Sequence, residues 1–136
     1  MMSPSWSPDG SRIALTSLKR GNADIYIVDL ARGEPHLFQA SPGVDSAPDW
    51  SPDGNSLAYS SSEDGDAEIY VRPATGGQAR RLTFSPAIET APSWSPTGRE
   101  IAFTSDRLGK PQVFVMDSEG GNVRRLTPFG TKPRRS

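Results

Sequence analysis

The 136-residue sequence predicts an all-β protein that is built from three copies of one unit. A motif around a tryptophan recurs every 44 residues (50 − 6 and 94 − 50) without a gap, at Trp6, Trp50 and Trp94. Each copy contains four short extended runs between turns rich in glycine and proline, and no apolar pattern of helical period opposes this interpretation. A fixed period of this size indicates a repeat architecture, in which stacking of the units supplies the core.

The first strand of each unit, strand A, carries the tryptophan and ends in a turn of the type Ser-Pro-Asp-Gly. Proline fixes φ at the start of such a turn, and glycine adopts the positive φ that the turn needs. The turn therefore predicts a tight reversal from strand A into strand B. Its glycines, at identical positions of the three units, are Gly10, Gly54 and Gly98.

Strands B and C are apolar at consecutive positions instead of alternate ones. The run from Arg12 to Ser17 is an example of strand B, and strand C carries an aromatic residue at Tyr26, Tyr70 and Phe114. Consecutive apolar residues are expected in a strand whose two faces are both covered. A sheet that lies between two other sheets meets this requirement.

Strand D is shorter and more polar, at residues 36–39, 80–83 and 124–127. Such a composition suits an outer edge strand, which must not pair with other chains. Four antiparallel strands in about 44 residues are typical of one β-propeller blade, with strand A near the axis and strand D at the rim. We therefore predict a single repeat region, residues 1–136, with blade one at 3–46, blade two at 47–90, blade three at 91–129 and a tail at 130–136.

Three blades are fewer than the four to eight of a typical propeller, so both terminal blades would expose an apolar face. Monomers rarely leave large apolar surfaces in water. Because six is the one multiple of three in that range, we predict that the chain forms half of a six-bladed ring and that a homodimer closes it. The alternative is that the chain is a fragment, since it starts almost inside the first motif, and that blades of a longer parent close the ring.

Composition argues against several classes of function. The net charge of −1 provides no basic field for nucleic acid, and the absence of cysteine excludes disulfides, thiolate zinc ligands and a thiol nucleophile. No apolar run approaches the length of a membrane span, and the first residues lack the pattern of a signal peptide. We predict no nucleic-acid partner and no membrane insertion.

The sequence also offers no pattern of a catalytic or metal site. A Gly-x-Ser-x-Gly nucleophile elbow is absent, and His36, the single histidine, is predicted to lie exposed on an edge strand. The acidic stretch 62–68 is too short for an EF-hand loop and falls at a predicted hairpin. We therefore predict no catalytic residue, no metal and no cofactor, and thus a protein that is not an enzyme.

The loops that join strand B to strand C, and strand D to the next strand A, share one end of the sheets because neighbouring strands alternate in direction. These loops differ between the units while the strands do not, and loops on a rigid scaffold are where binding residues usually lie. Our candidates for contact with a ligand or partner are Arg20, Asp45, Glu89 and Arg107. The alternative is that these charges are solvated or pair with one another.

The three tryptophans allow two interpretations. Aromatic rings could line a site for a sugar or a peptide, but the identical position of each tryptophan beside a proline favours packing between blades. We predict the same structural role for the turn glycines and for the aromatic residues of strand C.

The repeated pattern resembles a known family. It contains Pro-x-Trp-Ser-Pro-Asp-Gly, then Ile-Ala-Phe-x-Ser, Ile-Tyr-Val-x-Asp and Gly-Gly-x-x-x-x-Leu-Thr, and it is similar to the TolB-type β-propeller repeat, a WD-like repeat, from Ser3 to about Phe129. Thr97 replaces the aspartate of the other two turns, and Arg72-Pro73 replaces the usual end of strand C. Neither departure affects the fold that the resemblance implies.

The resemblance implies a non-catalytic scaffold that binds a protein or peptide. In this family the propeller is a periplasmic interaction platform of the Tol-Pal type, so a periplasmic location is expected as well. Because a fold can carry many functions, two alternatives stay open. They are the gating propeller of a prolyl-oligopeptidase-like serine peptidase and the ligand-sensing propeller of a regulatory protein.

Overall fold

A computed structural model describes residues 4–18 and 21–126, and it contains three antiparallel sheets of four strands each within those ranges. Blade one comprises β1 (Ser5–Trp6), β2 (Arg12–Ser17), β3 (Asp24–Asp29) and β4 (Pro35–Gln39). Blade two comprises β5 (Asp45–Trp50), β6 (Ser56–Ser61), β7 (Glu68–Pro73) and β8 (Arg80–Arg81). Blade three comprises β9 (Glu89–Trp94), β10 (Glu100–Ser105), β11 (Gln112–Asp117) and β12 (Arg124–Arg125).

Strand order within every blade follows the order of the chain, so each blade is a meander from strand A to strand D. The predicted all-β fold of three four-stranded blades is thereby confirmed. Strands β5 and β9 begin at Asp45 and Glu89, two residues ahead of the predicted blade bounds. Strand D is an edge strand in each sheet, and His36 on β4 is exposed.

The turn from strand A to strand B has the same backbone hydrogen bond, from the turn glycine to the serine three residues before it, in all three blades. In blade one the amide of Gly10, at a φ of 74°, donates to the carbonyl of Ser7. The carboxylate of Asp9 accepts from the amide and hydroxyl of Ser11 and from the Ser7 hydroxyl, and these bonds lower the pKa of Asp9 to about 2. In blade three the hydroxyl of Thr97 accepts from the amide of Arg99 instead. Threonine therefore preserves this turn without a carboxylate.

The core lies in the two interfaces between neighbouring blades, which we call seams. At the first seam Ala14, Ile25 and Ile27 of blade one pack against Leu57 and Tyr59 of blade two. The second seam joins blades two and three in the same way, as the equivalent residues show: Ala58, Ile69 and Val71 of blade two, with Ile101 and Phe103 of blade three. Each blade thus obtains its core from its neighbour, as the repeat predicts.

Aromatic residues on strands B and C fill these seams. Tyr59 and Tyr70 lie directly opposite each other on β6 and β7, and their rings stack with centroids 5.8 Å apart. Phe103 and Phe114 form the equivalent pair in blade three at 5.9 Å. Burial raises the pKa of the Tyr59 hydroxyl. Stacked pairs of this kind stabilise a seam beyond the area that they bury.

The three tryptophans occupy identical positions but different environments. Trp50 is buried in the first seam, where its indole Nε1 donates to the carbonyl of Ser5 at 3.0 Å. Trp94 packs half-buried in the second seam, whereas Trp6 on β1 is 60% exposed. Trp50 and Trp94 each pack in a seam with the blade before their own, and the described residues contain no such blade beside Trp6.

Strand A bends at a bulge in blades two and three. The pairing of β5 with β6 is irregular between Ser46 and Asp49, and Ala47 within that interval has a φ of 56°. Ala91 has a φ of 54° at the equivalent place on β9. The left-handed region is unfavourable for alanine, so tertiary contacts must stabilise it. One such contact is the hydrogen bond from the Ala47 amide to the Thr16 hydroxyl across the first seam.

Asp49 links all three blades. Its carboxylate accepts from the Trp94 amide of blade three at 2.8 Å and from the Ser5 hydroxyl of blade one at 3.4 Å. Burial raises the pKa of this carboxyl above its ordinary value, although both bonds act in the opposite direction. The folded state therefore favours the protonated form of Asp49 more than the unfolded state does.

Ionisation of Asp49 should make the wild-type protein less stable at neutral pH than in mild acid. We expect Asp49→Asn to reduce this difference in stability. A raised pKa makes the wild-type carboxyl increasingly unfavourable as the pH rises through its folded-state value, and asparagine does not titrate. The measurement is the difference in Tm between pH 4 and pH 8. As a control, Asp53→Asn removes an exposed carboxylate whose pKa is lowered mainly by the Ser51 hydroxyl, so it should change this difference slightly in the opposite direction. An unchanged difference in Asp49→Asn would contradict this assignment.

Candidate functional site

Two sets of loops lie together at one end of the blades, and we call this end the loop face. It comprises the loops between strands B and C at 18–23, 62–67 and 106–111, of which residues 19 and 20 are not described, and the loops between strands D and A at 40–44 and 82–88. The opposite end, with the A–B and C–D turns, is the turn face.

Reciprocal hydrogen bonds join the two sets of loops at two places on the loop face. The amide of Val44 donates to the Ser62 hydroxyl at 2.8 Å, and the Ser62 amide donates back to the Val44 carbonyl. Ile88 and Asp106 form the same reciprocal pair one blade later, with an aspartate oxygen as the first acceptor. The predicted meeting of the two sets of loops is therefore visible as direct bonds, and the loop backbone is fixed where it faces solvent.

Asp45 lies at the start of β5, opposite Ser61 at the end of β6. Its carboxylate is fully buried and accepts from the hydroxyls of Ser61 at 2.5 Å and Ser41 at 3.0 Å. Desolvation by burial raises the pKa of Asp45, and the two hydroxyls partly oppose that effect. Because the side chain is buried, its role in this arrangement is to fix the loop at residues 40–44.

Glu89 and Arg107, two of the four predicted contact residues, are brought together in blade three. Arg107 forms an ion pair with the fully buried carboxylate of Glu89, which also accepts from the Ser105 hydroxyl. The guanidinium lies over the ring of Phe114, 4.7 Å from its centroid, and remains partly exposed. Arg20, the fourth predicted residue, lies outside the described residues. The sequence also allowed these charged residues to pair with one another. The structure shows this arrangement for Glu89 and Arg107.

Glu68 is a buried carboxylate that the sequence reasoning did not select. It accepts from the Thr83 hydroxyl, from the Ser85 amide and from Arg81, whose Nη2 lies 3.1 Å away. Burial raises the pKa of Glu68 despite these partners. The signal in the sequence was an acid at the same position of strand C in blades one and two, Asp24 and Glu68.

Asp24 lacks the partners of its equivalent in blade two. Leu37 occupies the position of Arg81, and the buried Oδ1 of Asp24 accepts no hydrogen bond within the described part of the chain. Asp24 lines a cavity of about 400 Å³ on the loop face together with Asn22 and Ser41. A buried acceptor without a donor is unfavourable, so this cavity suits a ligand group that donates a hydrogen bond.

Large apolar side chains are exposed on the loop face, and we call this set the apolar rim. Its members are Leu18, Val44, Phe84, Ile88 and Leu108, each more than half exposed. Val44 and Ile88 occupy equivalent positions, one residue before strand A, and both belong to the reciprocal backbone pairs described above. Clusters of exposed apolar residues with polar neighbours are characteristic of interaction surfaces.

A cavity of about 500 Å³ lies instead on the turn face, between Pro52 and Trp94 of blades two and three. A smaller cavity of about 260 Å³ recurs at the first seam, where Pro8 takes the place of Pro52. The recurrence shows that this groove is a product of blade stacking. We therefore place the candidate site on the loop face, where the blades differ.

Two further classes of site have no support in the described residues. In those ranges no group of three or more His, Cys, Asp or Glu side chains is arranged to hold a metal ion. Nor does any helix there have the length and apolar character needed to cross a membrane.

Comparison with known proteins places this geometry among TolB structures. The putative TolB of Agrobacterium tumefaciens superposes with a TM-score of 0.85 and 30% identity, over 90% of this chain and 47% of that chain. TolB of Acinetobacter baumannii gives a TM-score of 0.81 and 37% identity, over 94% of this chain and 32% of that chain.

Sequence comparison gives the same result. The Tol-Pal system protein TolB of Xanthomonas campestris pv. campestris is 43% identical over 47 residues, which are 35% of this chain and 11% of that protein. This chain therefore corresponds to less than half of each of these relatives. The family described as TolB beta propeller domain matches residues 1–135. Since that match covers nearly the whole sequence, the chain belongs to the TolB beta propeller domain family.

Proposed function

We propose that this chain is a non-catalytic scaffold that binds a protein or peptide partner on its loop face. The observation that carries the proposal is the apolar rim, because its side chains are exposed while the backbone beneath two of them, Val44 and Ile88, is held by reciprocal hydrogen bonds. A surface that is fixed before binding loses little conformational entropy on association. Apolar anchors surrounded by polar groups are typical of the centres of protein interfaces.

Polar groups beside the rim add specificity to this surface. Arg107 remains partly exposed next to Leu108, and the Asp24 oxygen that has no donor among the described residues belongs to a residue that lines the cavity of the loop face. A peptide that places an apolar side chain on the rim and an N–H donor in the cavity fits both features. Such recognition requires no titratable catalytic group, which is consistent with a scaffold.

The relatives suggest a partner and a location. The Xanthomonas relative is a Tol-Pal system protein, so we propose a periplasmic role of that type and a Pal protein as the first partner to test. Nothing in the described residues favours the gating propeller of a peptidase or a ligand-sensing propeller over this role.

A binding measurement with matched variants tests the proposal. The probe is the soluble domain of a Pal protein from Xanthomonas campestris, titrated into the 136-residue chain by calorimetry. We expect Val44→Asp combined with Ile88→Asp to weaken binding at least about tenfold, because charges would replace two apolar anchors at the interface. Leu30→Asp combined with Val123→Asp places the same charges on exposed apolar positions of the turn face and serves as the control.

The outcomes separate the parts of the proposal. Absence of binding by the unmodified chain would count against the Tol-Pal role. Binding that survives the loop-face variant but is lost in the turn-face variant would show that the partner uses the other end of the blades.

A further inference from the structure

The grooves on the turn face differ between the two seams in what covers the tryptophan. At the first seam Trp50 is 4% exposed, and the guanidinium carbon of Arg12 lies 4.6 Å from the centroid of its ring. Arg12 also lines the cavity of about 260 Å³ at that seam, whereas Trp50 does not. An arginine of the preceding blade therefore closes this groove over the indole.

The second seam lacks this arginine. The residue equivalent to Arg12, one repeat later, is Ser56, and Ser56 and Trp94 line the same cavity of about 500 Å³. Trp94 remains partly exposed, and among the described residues no arginine or lysine lies over its ring. The cavity is thus larger, and the ring less covered, at the seam where a serine replaces the arginine.

The charges that line the second groove favour a cation. The carboxylate of Asp53 accepts from the Ser51 hydroxyl at 2.6 Å, and this bond lowers the pKa of Asp53, so the group is ionised at neutral pH. Arg80 and Glu119 also line the groove, but they form an ion pair with each other at 2.6 Å. Asp53 is therefore left as the uncompensated charge of the lining.

The first groove shows how such a set of groups is completed. Asp9, the equivalent of Asp53, lines it together with Arg12, and Pro8 takes the place of Pro52 on its wall. One seam thus contains a tryptophan ring, a carboxylate and a guanidinium. The other seam contains the ring and the carboxylate without the guanidinium.

We propose that the groove at the second seam binds the guanidinium of an arginine side chain from a polypeptide partner, over the ring of Trp94 and beside the carboxylate of Asp53. A guanidinium is planar and more weakly hydrated than an ammonium group, so it stacks better on an aromatic ring. Arg12 reaches the equivalent place from a polypeptide backbone, so we assign a peptide side chain and not free arginine. This site on the turn face is separate from the partner surface on the loop face.

Titration with short peptides, followed by NMR of the indole N–H resonances, tests the site. The probe is acetyl-Gly-Arg-Gly-amide, and matched peptides carry lysine or the neutral isostere citrulline in place of arginine. We expect the arginine peptide to shift the Trp94 resonance, assigned with Trp94→Phe, and to leave that of Trp50, whose ring Arg12 already covers. The citrulline peptide should bind at least about tenfold more weakly because it has no charge, and the lysine peptide should lie between the two.

Substitutions at the groove provide matched variants. Ser56→Arg supplies a guanidinium from the chain itself, so it should weaken binding of the arginine peptide at Trp94 at least about tenfold. The first seam accommodates arginine at the equivalent position, so the fold should be kept. Asp53→Asn removes the carboxylate and should weaken binding about threefold. Ala31→Arg adds the same charge as Ser56→Arg at an exposed position of the turn face in blade one, and it should leave the affinity unchanged.

Three results would overturn the assignment. They are an unshifted Trp94 resonance at millimolar arginine peptide, equal affinity for the citrulline peptide, and undiminished binding by a folded Ser56→Arg variant. Tighter binding of free L-arginine than of the arginine peptide would contradict a polypeptide source. None of these results bears on binding of Pal by the loop face.

Discussion

Replacement of Trp50 by alanine should lower the free energy of unfolding by roughly 3 to 5 kcal/mol. The indole is only 4% exposed and lies in the first seam. There the guanidinium carbon of Arg12 of blade one lies 4.6 Å from the ring centroid. Removal of the ring would leave a cavity between two blades and would also remove the hydrogen bond that the indole donates to the carbonyl of Ser5. Both effects act on a seam that each of the two blades needs for its core.

Urea denaturation, followed by circular dichroism at fixed protein concentration, measures this loss. Trp50→Phe is the matched control, since it keeps an aromatic ring but removes the Nε1 donor. It should cost about 1 kcal/mol, the usual net contribution of one hydrogen bond, in addition to a small packing term. If Trp50→Ala lost less than this control, the first seam would not depend on the indole.

Replacement of Arg107 by alanine should destabilise blade three by about 3 kcal/mol. The carboxylate of Glu89 is fully buried and would lose its only described cation, while the Ser105 hydroxyl would remain as a donor. Loss of one partner from a buried ion pair leaves an uncompensated charge, which is strongly destabilising. We expect a value at the low end of the usual loss of stability, because the Ser105 hydroxyl continues to donate to Glu89. Loss of the stacking of Arg107 on Phe114 acts in the same direction.

A double-variant cycle separates the charge effect from the packing effect. Glu89→Gln combined with Arg107→Ala removes both charges, so it should recover most of the stability that Arg107→Ala alone loses. Chemical denaturation of the four proteins gives the coupling energy. A double variant as unstable as the sum of the two single variants would show that the ion pair contributes nothing.

Strand assignment from sequence succeeds best where the repeat and the residue chemistry agree. The predicted strand B of blade one, Arg12–Ser17, has the observed bounds, because consecutive apolar residues between a glycine turn and a loop leave little choice. Strand D shortens to the pair Arg80–Arg81 in blade two. Its polar residues have one neighbouring strand and weak apolar packing, so sequence alone cannot fix where such pairing ends.

The repeat does not predict how deeply each of its equivalent residues is buried. Trp6 and Trp50 occupy the same position of the repeat, yet one is exposed and the other buried, because burial depends on whether a blade packs against the ring. The same limit applies to Asp45 and Glu89, which were selected as surface charges. Their burial follows from the bulged pairing that sets them opposite Ser61 and Ser105, and strand register is not visible in a single sequence.

The bulged, left-handed alanine of strand A has the same geometry in blades two and three, and in blade two its amide donates to Thr16 of the blade before it. The 44 residues of one blade therefore carry half of the contacts of the seam on each of its two sides, and we call such a seam a joint. Duplication of one such stretch of gene would add a blade and one further joint of the same chemistry, without any compensating change elsewhere. This property explains how ring size can vary in evolution while the joint between units is inherited intact.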